Sequence, residues 1–136
     1  MDTLFVIPQQ LVHQYWCLAI PHLQRALDAG NGEFTIDQLK LFTAEGNCIL
    51  LLVLNQEKKC TCALTIQWVT YPNDRVCYIT YIGGTTSQEA WNQFVEWVKQ
   101  NGGTSIQGST KLKAIERLWR IKWNMKPKYT LMELKL

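Results

Sequence analysis

The sequence predicts an α+β fold built on a mixed sheet, and three observations predict it. First, residues 48–54, 60–71 and 75–82 are apolar or β-branched runs separated by short polar turns, the pattern of an antiparallel meander. Second, residues 9–29 and 87–100 carry apolar side chains at helical rather than strand spacing. Third, the helix at 87–100 lies between two strand-like runs, 75–82 and 104–107. Such a connection implies a right-handed parallel crossover. The expected order is β-α-α-β-β-β-α-β-α-β.

Residues 4–7 are a short strand-like run before Pro8. In 9–29 the stripe is Leu11, Val12, Tyr15, Trp16, Leu18, Ala19, Leu23, Ala26 and Leu27. Pro21 interrupts it, so a kink or two shorter helices are expected. Thr35 to Gln38 has capping-box spacing and opens a short helix that Gly46 stops. Asn55 to Lys59 and Tyr71 to Asp74 are the turns of the meander. Thr86 to Glu89 again has capping-box spacing, and Asn101-Gly102-Gly103 ends the helix that follows. Gly108-Ser109-Thr110 opens a last helix, 111–122. Pro127 bars helix beyond it, and 129–136 alternates as a terminal strand.

A chain of 136 residues, 47% hydrophobic and 18% charged, fits one globular domain spanning 1–136. The longest apolar run, 49–54, is too short to span a bilayer. The N-terminus has no basic region of the secretory kind. Five scattered cysteines read as reduced thiols in a cytoplasmic setting, and Cys60 and Cys62 lack zinc-knuckle spacing, so no metal is expected. The net charge of +3 is uneven. From Lys111 onward there are eight Lys or Arg against two Glu, a balance of +6, so the first 110 residues carry −3. That basic quarter either faces phosphates or is a solvated surface.

The candidate functional centre is the strand, glycine turn and helix of 75–103. Gly83-Gly84 permits positive φ or close approach of a ligand. A helix start offers free amide N–H groups to an anion. The competing reading is a plain strand-to-helix turn. Other chemistry-bearing residues are His13 and Cys17, which share a helix face and read best as a buried pair. His22 is a base acting through water or a surface residue. Lys113, Arg117 and Arg120 form a basic stripe flanked by Trp119 and Trp123. The stripe reads as a solvated outer face in preference to a nucleic-acid surface.

Two stretches resemble the GNAT superfamily of acyl-CoA-dependent N-acyltransferases. YIGGTTSQEAWNQFVEWVKQNGG is similar to that family's strand, pyrophosphate loop and helix. KLKAIERLWRIKWNMKPKYTLMELKL is similar to its closing helix and strand, with Ala114, Ile121 and Trp123 at the pattern's Ala, Leu and Phe positions. The sequence departs from the family in its loop, where only Gly83 and Gly84 remain, followed by Thr85 and Thr86. Leu118 stands where some members carry a tyrosine acid, and Lys122 replaces a glycine. The small size is also similar to GNAT-like proteins of tailed bacteriophages, for which host cytoplasm or virion would be the location.

The resemblance implies acetyl-CoA as cofactor and an amine acceptor as partner. It implies a cofactor site at Ile82, Gly83, Gly84, Thr85, Thr86, Ser109 and Lys111. Tyr78 and Tyr81 are the candidate catalytic groups, on opposite strand faces by their odd spacing. The alternative is a catalytically inactive relative acting as a virion or host-interaction component with a protein partner. In that case Trp91, Trp119 or Tyr81 would fill the mouth between the strands ending at Ile82 and Gln107.

Overall fold

The computed structural model describes residues 1–136. A five-stranded sheet runs in the order β1 (Thr3–Ile7), β2 (Ile49–Leu54), β3 (Cys60–Tyr71), β4 (Asp74–Gly84) and β5 (Ser105–Gly108). The first four strands pair antiparallel, and β5 pairs parallel to β4. Helices α1 (Val12–Asp28) and α2 (Ile36–Ala44) cover one face. Helix α3 (Gln88–Gln100) covers the other, and α4 (Lys113–Lys122) follows β5. No helix is long and apolar enough to cross a membrane.

β2 reads ILLLVL because it is covered on both faces. Leu50 and Leu52 point to α1 and α2, where they meet Trp16, Leu23 and Leu39. Leu51 points the other way into Leu64, Ile66, Cys77, Phe94 and Val98. Each such side chain contributes about 1.5–3 kcal/mol on leaving water. Thr35 makes the expected capping box with Gln38, and Ser87 caps α3 by accepting from the Ala90 N–H at 3.1 Å.

Five local expectations are corrected. Pro21 does not split α1, which runs unbroken as one helix after a 3-10 turn at Gln9–Leu11. Gly83 and Gly84 are not a turn: they are the last strand residues of β4, paired with Ala63 and Cys62. His13 and Cys17 are both exposed, because α1 turns Val12, Trp16, Ala19, Leu23 and Leu27 to the sheet instead. Residues 129–136 form no strand and are exposed throughout: they pair with neither edge of the sheet, and alternation alone does not make a strand.

The fifth correction concerns Tyr78 and Tyr81. Thr65 pairs with Tyr81 while its neighbour Ile66 pairs with Ile79, so Thr80 is an extra residue in β4. This β-bulge shifts the alternation by one, and both tyrosines end on the α1 face. The bulge is held from inside. The Thr80 hydroxyl donates to the Thr65 carbonyl at 2.9 Å, and the two hydroxyl oxygens lie 2.5 Å apart. Thr65 is fully buried. Thr80→Val is therefore expected to strand a buried hydroxyl and cost about 1–3 kcal/mol in urea unfolding. The double variant with Thr65→Val should recover most of that loss. Equal losses in both would mean that the hydroxyls do not act as a pair.

Candidate functional site

Strand β4 outruns its neighbour. Its last pairing with β5 is Ile79 to Gly108, and the peptide edge of Thr80 to Gly84 beyond that point has no strand beside it. The sheet is open here because β5 has only four residues and the chain then leaves for α4. Tyr78, Tyr81 and the start of α3 all border this opening.

On the α1 face the Tyr78 hydroxyl lies 2.5 Å from the Ser109 hydroxyl, which joins β4 to the segment after β5. Tyr81 packs against the α1 and α2 core and meets Phe34 edge-on at 6.2 Å between ring centres. Phe34 in turn contacts Phe42 at 5.1 Å. Burial pushes the Tyr81 phenol above its ordinary range, and the negative charge of Glu33, then Tyr78 and Cys48, add to this. Lys111 donates to the Gly30 carbonyl at 2.9 Å and to Asn31 Oδ1 at 3.1 Å, tying the α4 approach to the α1–α2 loop.

The loop into α3 is an array of amides. The Thr85 N–H is consumed by the Thr61 carbonyl at 2.9 Å. The Ala90 N–H is consumed by the Ser87 side chain. The four N–H groups between them, on Thr86, Ser87, Gln88 and Glu89, have no protein acceptor. The Lys122 ammonium sits at the same place, donating to the Thr86 carbonyl at 2.7 Å. Four free donors at a helix start beside one cation fit a diphosphate in both charge and hydrogen-bonding type. The free amides lie one step beyond the Gly83 to Thr86 loop that the sequence pointed to, and Lys122 and Glu33 were not among the expected residues. The capping spacing of Thr86 to Glu89 was the signal for the amides. Nothing local in the sequence brings Lys122 to Thr86.

The glycines are required by close packing within the protein. A side-chain carbon on Gly83 would stand 1.9 Å from the His22 carbonyl oxygen. One on Gly84, whose φ is +96°, would stand 2.3 Å from the Thr61 oxygen and 2.8 Å from His22 Nδ1. His22 itself is half-buried, with Nε2 2.8 Å from the Cys60 carbonyl, so that nitrogen carries the proton and Nδ1 is left an unpartnered acceptor. It is not the surface residue that its place on the helix suggested. Ile82 turns into the α3-side core, and the Thr86 hydroxyl lies 3.4 Å from Cys62 Sγ.

The α3 side of the opening carries indoles. Trp119 lies against Gly108, where a side-chain carbon would meet its ring at 3.3 Å. Trp91 and Trp123 stack with centres 4.6 Å apart, fixing the end of α4 on the start of α3. Beneath them remains an apolar hollow of about 10 Å³ between Leu4, Ile82, Ala90 and Phe94, room for one water at most. The expected basic stripe of Lys113, Arg117 and Arg120 borders an open hollow of about 590 Å³ shared with Met125, Lys126 and Pro127.

No family model matches the chain, and no curated protein matches it. Solved structures do. It aligns with a ribosomal-protein-alanine N-acetyltransferase from Brucella melitensis biovar Abortus 2308 at TM-score 0.72 and 7% identity, over 100% of both chains. It aligns with an aminoglycoside acetyltransferase from an uncultured soil metagenomic sample, in complex with sisomicin, at TM-score 0.68 and 12% identity, over 99% of this chain and 96% of that one. A predicted acetyltransferase with acetyl-CoA from Clostridium acetobutylicum gives TM-score 0.63 and 12% identity, over 99% and 96%. The expected GNAT-type α+β fold is thus the observed one, short of its terminal strand.

Proposed function

We propose that the protein is an acyl-CoA-dependent N-acyltransferase acting on an amine. The observation that carries this reading is the run of four unpaired amides at Thr86 to Glu89 beside the Lys122 ammonium, next to the unpaired edge of β4. Support also comes from the fold shared with acetyltransferases. Bound acyl-CoA supplies an activated thioester whose acyl carbon passes to the amine nitrogen. The amides and Lys122 would hold its diphosphate, and the edge of Thr80 to Gly84 would align its arm. Tyr81 would protonate the departing thiolate; its phenol holds its proton at neutral pH as any tyrosine does, and the upward shift makes it a weaker acid than a free tyrosine. Glu33, whose charge Tyr81 feels, would draw an ammonium towards the same face.

The test is thermal and calorimetric titration with acetyl-CoA. At 100 times its Kd the ligand should raise stability by about 2.7 kcal/mol. Lys122→Ala should weaken binding at least about tenfold, the loss of one charge-assisted contact of about 1.5–3 kcal/mol. No shift and no heat at millimolar acetyl-CoA would end this reading. A second reading is then favoured by the indoles: Trp119 on Gly108 and the Trp91–Trp123 stack strap α4 over the opening. On that reading the fold serves as a non-catalytic interaction protein.

A further inference from the structure

Lys113, Arg117 and Arg120 do not lie on a plain convex face. They line one side of the open hollow of about 590 Å³, and Met125, Lys126 and Pro127 line it after the chain turns at Asn124, φ +57°. At about 100° per residue, Arg117 and Arg120 stand about 40° and 20° from Lys113 around α4, and Lys122 stands about 180° away. The hollow is therefore on the opposite side of α4 from the Lys122 ammonium and the free amides of Thr86 to Glu89.

Four cations meet one carboxylate there, that of Glu116, a balance of +3. Glu116 lies 3.8 Å from Arg120 in an exposed pair, which is worth little. Lys113, Arg117 and Lys126 have no acceptor within the protein. Other cations are committed: Arg75 to Thr70 and Asn101, Lys111 to Gly30 and Asn31, and Lys122 to Thr86. Like charges three and four residues apart on a helix repel, so this face is relieved when anions come between them. The chain up to residue 110 carries −3, which turns the basic side towards a polyanion.

We propose that this hollow is a binding site for single-stranded nucleic acid, held by its phosphate backbone. Lys113 to Arg120 span about 10 Å along the α4 axis, the length of about three phosphates of one strand. A phosphodiester carries its charge on the chain itself and offers oxygens to both α4 and Lys126. An acidic peptide carries its charge on side chains that each project one way. Arg117 and Arg120 bring planar forks that match phosphate oxygens. Ile121 adds apolar surface of the kind a sugar or base covers. A hollow of small-molecule size takes one strand and not a duplex.

The site does not depend on acyl transfer. Fluorescence anisotropy of the full chain with a labelled oligothymidylate of about twelve nucleotides should give a Kd of about 10⁻⁵ M at about 50 mM salt. Four phosphate contacts at about 0.7 each give a slope of about −3 in log K against log salt, so about 250 mM salt should weaken binding about a hundredfold. The double variant Lys113→Ala, Arg117→Ala should bind at least about tenfold more weakly and flatten the slope by about 1.4. Lys126→Ala should flatten it by about 0.7, and covers the case in which the double variant misfolds. Lys99→Ala, an exposed cation on α3, should change neither. Saturating acetyl-CoA should leave the affinity unchanged, because the free amides face the other side of α4. Absence of binding, losses from Lys99→Ala equal to those from the hollow, or displacement by acetyl-CoA overturns the inference. Equal affinity for a duplex, or for an oligoglutamate of the same charge, overturns it too. A chain that ignores acetyl-CoA yet binds the oligonucleotide as described loses the acyltransferase reading and keeps this one.

Discussion

Replacing Gly83 by alanine is expected to destabilise the fold by more than about 3 kcal/mol, the upper end of overpacking penalties. The obstacle is backbone, since the new methyl carbon would overlap the His22 carbonyl oxygen at 1.9 Å. No rotamer change relieves that. Either α1 backs away from β4 or β4 gives up its pairing with Ala63. Both moves open the core formed by Trp16, Leu23 and Leu52. The control is Gly32→Ala: that glycine has positive φ, +83°, where Gly83 does not, but nothing lies within 4 Å of the added carbon. It should cost about 1 kcal/mol, the left-handed backbone penalty alone. Urea denaturation of the two variants checks the prediction. Equal losses would mean that the contact between α1 and β4 is not what fixes Gly83.

The second large effect is alkaline. Burial raises the Cys48 and Cys62 thiols from 9.0 to about 11 and the Cys77 thiol to about 12. A thiol with a raised folded-state pKa ionises more readily once the chain is unfolded. Its contribution is therefore complete below pH 9 and is lost as pH climbs towards 11. Solvent screening discounts the shifts of the less enclosed Cys48 and Cys77, and the three together lose about 2–3 kcal/mol at pH 10. That is a large share of the roughly 5–15 kcal/mol typical of a domain. Urea midpoints measured from pH 7 to 10 should fall steeply above pH 9. Cys77→Ala should flatten about a third of the slope while lowering stability at neutral pH through lost packing. A stability curve level to pH 10 would refute the shared mechanism.

The meander and the crossover were legible because each rests on local chemistry. Asn55 to Lys59 and Tyr71 to Asp74 are polar punctuation between apolar runs, and the cap at Thr35 stands where its spacing placed it, while α3 is capped by Ser87, one residue after the Thr86 of the expected box. The bulge at Thr80 was not legible, because a one-residue slip depends on the partner strand and leaves no mark in the strand's own sequence. It moved Tyr81 to the face of Tyr78, and so changed which candidate residues share a site. The glycines were read for what they permit rather than for what they approach; His22 and Thr61 are distant in sequence. Lys122 was beyond local reading for the same reason, since it reaches Thr86 across 36 residues.

Two indole rings lying 4.6 Å apart at Trp91 and Trp123 do not absorb light independently. Their coupled transitions should produce a paired near-ultraviolet dichroism band belonging to that stack. Loss of the band on adding a compound, with helix content constant, would record α4 lifting from α3 in the unlabelled protein. Bond by bond, the chain thus carries its own optical gauge of whether that door stands open.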